Sequence, residues 1–82
     1  MKTKVEFLAN NQCIIRTDNS VSLQSYETII CKIENGQTFL DEKFWDYSKT
    51  TGKYRNIFLG ETKQETIKKI NSGAYQLTNL NN

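Results

Sequence analysis

Asn35-Gly36 is the feature that most constrains how this chain folds. It sits between two runs with strand character, Val21–Glu34 and Gln37–Leu40. Asn-Gly in that setting marks a type I′ hairpin, because both central residues of that turn need positive φ. The run before it is the longest strand candidate. Ile29, Cys31 and Ile33 share one face, and Tyr26, Thr28, Ile30 and Lys32 share the other. Apolar side chains on both faces suit a strand that is covered on both sides.

Upstream, Lys2–Ala9 alternates, with Val5, Phe7 and Ala9 on one side and Lys4 and Glu6 on the other. That period marks a half-buried strand. Asn10-Asn11-Gln12 reads as a turn, since Asn tolerates left-handed backbone angles. Cys13–Thr17 then returns as the second strand. Downstream, Ser48 is placed to cap a helix, and Thr51, Tyr54 and Phe58 form its apolar stripe, flanked by Ile57. Lys49, Lys53 and Asn56 lie on the opposite side, and Gly60 stands at the end. Gly52 weakens this helix. Thr62-Lys63-Gln64-Glu65 matches a capping box and opens a second helix, which ends at Ser72-Gly73. Tyr75–Leu80 alternates as a last strand, and Asn79–Asn82 is expected to fray.

This order predicts one α+β domain over residues 1–82. Its core is an antiparallel β-sheet of four to five strands, with two short helices packed on one face. Ile and Thr outnumber Leu and Ala, which favours strands. No apolar run approaches ~18 residues, so no membrane-spanning segment is expected. Met1-Lys2-Thr3-Lys4 has no apolar signal core behind it, and the expected location is the cytoplasm. Cys13 and Cys31 are accordingly expected to be buried free thiols.

The chain contains no His, the commonest general base near neutral pH and the commonest metal ligand. It carries no glycine-rich phosphate loop, and its two Cys cannot build a zinc site alone. No cofactor and no catalytic residue is expected. Asp41, Glu42 and Asp46 lack the spacing of a calcium loop and read as a solvated acidic turn. Charge is uneven. Residues 1–46 hold five Lys/Arg and seven Asp/Glu, and residues 47–82 hold six and two. Lys49, Lys53 and Arg55 on the first helix, with Lys63, Lys68 and Lys69 on the second, are candidate polyanion contacts. Trp45 and Tyr47 are candidate aromatic contacts, Trp45 more as an anchor of the connector.

Tyr47-Ser48-Lys49-Thr50-Thr51-Gly52-Lys53-Tyr54, continuing to Phe58-Leu59, resembles a small uncharacterised domain family of phages and mobile elements. That family has the pattern Tyr-Ser-x-Thr-Thr-x-Lys-His-x-x-x-Phe-Leu. Tyr54 stands where many members carry His. Ser25-Tyr26-Glu27-Thr28-Ile29-Ile30 resembles its Ser-Tyr-x-Thr-x-Ile strand. The resemblance implies a phage or mobile-element origin and no particular reaction. Size, origin and the missing catalytic groups together suggest a non-enzymatic inhibitor of a host defence system, of the anti-CRISPR kind. Its acidic face, Glu34, Asp41, Glu42 and Asp46, would meet a host protein or ribonucleoprotein complex. Two alternatives are a nucleic-acid-binding accessory protein using the basic helices, and a homo-oligomer joined through an unpaired sheet edge.

Overall fold

The computed structural model describes residues 3–81. Met1, Lys2 at the start of the first strand read from the sequence, and Asn82 of the tail lie outside the described residues. Five strands run as an antiparallel meander: β1 (Lys4–Ala9), β2 (Gln12–Arg16), β3 (Ser20–Ser25), β4 (Thr28–Glu34) and β5 (Gln37–Asp41). Two helices follow, α1 (Lys49–Leu59) and α2 (Lys63–Ser72). They carry the chain back to β6 (Tyr75–Thr78), which pairs parallel with β5. A parallel neighbour needs such a crossover, because a tight turn only joins antiparallel strands.

The class is the expected α+β, with six strands rather than four or five. The added strand arises because Val21–Glu34 is not one strand. The chain reverses at Tyr26-Glu27, and Ser25 pairs with Thr28. Tyr26 takes φ 59°, a left-handed value that disfavours a bulky side chain. Its backbone N–H donates to the Asn11 carbonyl in the neighbouring β1–β2 turn, a tertiary bond that holds it there. A bulge follows: Leu23 pairs with Cys31 and Gln24 with Ile29, so Ile30 is the extra residue. The bulge breaks the alternation and lets both Ile30 and Cys31 be buried. At the predicted β4–β5 hairpin, Asn35 and Gly36 have φ of 50° and 79°.

The core is Leu23, Ile30, Cys31 and Leu40, covered by Phe44, Trp45, Tyr54, Phe58, Leu59, Ile70 and Tyr75. α1 lies over β3 and β4, and α2 over β6. Local signals set both helix ends. Ser48 Oγ accepts from the Thr51 N–H at 3.1 Å, and the Thr62–Glu65 capping box is complete. The expected stripe packs inward except Ile57, which is exposed. Glu61, nearly buried, ties α2 to β6. It accepts from Thr66 Oγ1 at 2.6 Å, Lys69 Nζ at 2.6 Å and Tyr75 Oη at 2.9 Å.

The tail does not fray as expected through Asn81. The Asn81 side chain accepts from the Ile29 N–H at 2.7 Å and donates to the Ile29 carbonyl at 2.9 Å. Cys13 and Cys31 are both free and buried. They pair across β3 with Gln24 and Leu23, adjacent residues on opposite faces, so they do not approach each other. Among the described residues, no helix is long and apolar enough to cross a membrane.

Candidate functional site

Ser48, the cap of α1, separates two depressions. The first is a cleft of about 750 Å³ between the β3–β4 turn and the start of α1. Its floor includes Ser25, Ile30 and Thr51. Ser25 Oγ and Thr51 Oγ1 lie 3.0 Å apart, and Ser48 Oγ donates to Thr51 Oγ1 at 3.2 Å. These hydroxyls satisfy one another, so they serve as structure. The exposed side chains of the lining are Asn11, Glu27 and Thr50 and two aromatic rings. Tyr26 is 52% exposed and Tyr47 is 66% exposed. Phe44 meets Tyr47 edge-on at 5.6 Å and orients it. Residues from both segments that carry the sequence resemblance, 25–30 and the start of 47–59, thus line one cleft.

The second depression, about 500 Å³, is lined by Asp46, Lys49, Gly52, Lys53, Arg55 and Lys63, among others. Lys49 and Lys53 are exposed. Lys53 Nζ lies 5.5 Å from the Tyr54 ring. Lys63 Nζ holds the Asp46 carboxylate at 2.6 Å. Burial alone would raise the Asp46 carboxyl, but the bonds from Lys63 and Arg55 outweigh it and hold it below the usual range.

Arg55 corrects an expectation. It is 1% exposed and is no surface contact for a polyanion. Its Nη1 donates to the Trp45 carbonyl at 2.8 Å and to Asp46 Oδ1 at 3.1 Å, and its Nη2 donates to Asn56 Oδ1 at 3.1 Å. The guanidinium lies 5.2 Å from the Trp45 ring centre. Trp45 is therefore half-buried beneath Arg55 and packs on the core, whereas Tyr47 stands at the surface. Lys68 is exposed on α2, and Lys69 is committed to Glu61; neither lines the depression.

The acidic face is also corrected. Asp41 is 1% exposed and accepts four hydrogen bonds, from the Lys43, Phe44 and Leu80 N–H groups and from Asn81 Nδ2. Asp46 is held by two cations, and Glu34 pairs with Lys32 at 3.6 Å. Glu34 stands beside the Asn35-Gly36 turn, while Asp41 ends β5 at the far end of that hairpin and Glu42 and Asp46 follow it. Among the described residues, no group of three or more carboxylates and thiols gathers to hold a metal ion.

Gly52 is buried between these groups. A Cβ there would meet Arg55 Nη2 at 3.6 Å and Asp46 Oδ1 at 3.8 Å, ordinary contact distances. The Gly52→Ala variant is expected to gain roughly 0.5–1 kcal/mol from helix propensity. Urea unfolding checks it: a midpoint at or below that of the wild type would show that the depression needs its open floor.

No curated protein and no solved structure matches this chain. A model of a family of unknown function, DUF8033, matches residues 1–73, and the chain belongs to that family.

Proposed function

We propose that this chain binds single-stranded nucleic acid without catalysis, through the surface on either side of Ser48. One observation carries the reading: exposed Tyr26 and Tyr47 line one depression, exposed Lys49 and Lys53 line the other beside the Lys63–Asp46 pair, and Ser48 lines both. Rings stack bases of any sequence, and ammonium groups beside them take phosphates. The inhibitor reading needs an acidic surface. With Asp41 buried, Asp46 engaged by Arg55 and Lys63, and Glu34 paired with Lys32 at the other end of the hairpin, the four carboxylates do not form one acidic face. A phage or mobile-element protein of this design would approach a ribonucleoprotein through its exposed single strand. The reading includes no reaction, because the chain has no imidazole and burial pushes the Cys31 thiol up, away from the reactive thiolate.

Fluorescence anisotropy with a labelled oligodeoxythymidine tests it. Binding is expected at low salt and should weaken steeply as salt rises. Tyr47→Ala should cost about 1–3 kcal/mol of affinity, the usual loss of one stacked base. Lys53→Glu should weaken binding and lower the salt slope by about one or more. Lys68→Glu, away from both depressions, should leave affinity unchanged. No binding at low salt, or losses that ignore position, would remove the proposal.

A further inference from the structure

β1 is an edge strand, and its free side faces no other element of the sheet. Along it Val5 is 50% exposed, Phe7 76% and Leu8 38%. Edge strands are normally blunted by bulges, charge or cover, because an open ladder recruits another strand. Here the bulge comes only at the far end, between Phe7 and Ala9. Val5 and Phe7 pair with Ile15 and Cys13 across β2. That row stands on the face opposite Leu23, Cys31 and Leu40, so the helices do not cover it.

We infer that β1 pairs antiparallel with β1 of a second copy, about a two-fold axis at Val5, giving one sheet continuous across two molecules. The charge pattern selects this occupant and this register. With Val5 opposite itself, Lys4 lies opposite Glu6 of the second copy, and Glu6 opposite its Lys4. Both side chains are already exposed at the edge. Arg16, which holds Glu6 at 2.8 Å, adds a cation to each cluster. A two-fold at Glu6 would set two carboxylates against each other. A two-fold at Phe7 would run the pairing into the bulge. In the Val5 register each Phe7 reaches Val5 of the second copy diagonally, within range of an aromatic ring. The uncovered apolar row of one molecule then continues into that of the other. The inference is independent of the nucleic-acid reading, because β1 lines neither depression.

Sedimentation velocity over a concentration series, on the full chain, reads the association. The wild type should sediment as a dimer that dissociates on dilution. Lys4→Glu and Glu6→Lys should each be more monomeric, with dissociation constants raised about tenfold or more, because both cross-copy pairs become like-charged. Mixing the two variants should restore a dimer, now a heterodimer, since every pair is again opposite in sign. Circular dichroism of each variant alone should match the wild type, which separates lost pairing from lost folding. A wild type that stays monomeric at every concentration overturns the inference. So does a dimer that ignores both charge changes, or a mixture that fails to associate.

Discussion

The Asp41→Asn variant is expected to lose about 3 kcal/mol of stability at neutral pH, read from urea unfolding. Asp41 is the hub between the connector and the tail. Its carboxylate accepts from Lys43 and Phe44, which start the turn after β5, and from Leu80 and Asn81, which follow β6. Asn is nearly the same shape but replaces one acceptor oxygen with an NH₂ group. That group faces N–H donors, and a buried donor without an acceptor costs more than the bond that was lost. The effect should reach Ile29, which the Asn81 side chain bonds in turn.

The same variant has a pH signature. Burial alone would raise the Asp41 carboxyl, but four donors outweigh it and its pKa lies below the ordinary value. The unfolded chain therefore binds the proton first as pH falls. The stabilisation is complete above the unfolded carboxyl pKa of about 4 and is lost as pH falls through the folded value. The gap between wild type and Asp41→Asn should hold from pH 7 to about 5 and narrow below about 4. A gap independent of pH would mean that shape, not the carboxylate charge, does the work. Asp46 and Glu61 are shifted down in the same way, so the wild type itself should weaken over this acid range.

The Arg55→Ala variant is expected to cost about 3–4 kcal/mol by the same measurement. It removes a long buried side chain from above Trp45 and leaves the Trp45 carbonyl without its donor. It also leaves Asp46 with Lys63 alone. Arg55→Lys is the discriminating companion. A surface phosphate contact would tolerate Lys, whereas one ammonium cannot reproduce bonds to Trp45, Asp46 and Asn56 together. Arg55→Lys should therefore also destabilise, by less than Arg55→Ala. An Arg55→Lys protein as stable as wild type would return Arg55 to the surface role that sequence suggests.

What was legible in the sequence was local. The Asn35-Gly36 hairpin, the Ser48 cap and the Thr62–Glu65 box depend on residues within a few positions of one another, and each formed as read. The Tyr26 turn was not legible, because no Gly, Asn or Asp stands at its positive-φ position and a bond from the β1–β2 turn fixes it. The burial of Ile30 was hidden for a related reason, since a bulge overrides strand alternation. Asp41 and Glu42 are neighbours of like charge, and only the returning tail buries one of them. For Arg55 a signal did exist. It falls four residues after Thr51 and three before Phe58, on the face that packs inward, so its helical position spoke against exposure. At the site, composition pointed to Lys49, Lys53, Lys63 and Tyr47. Tyr26 entered only through the fold, which brings the β3–β4 turn against the start of α1.

The most direct measurement of the central claim is an amide chemical-shift map of the labelled protein titrated with a short single-stranded oligonucleotide. The expected result is one contiguous set of shifts around Tyr26, Tyr47, Lys49, Lys53 and Lys63, growing with ligand and shrinking with salt. Shifts scattered over lysines of both helices, with Tyr26 and Tyr47 silent, would contradict it.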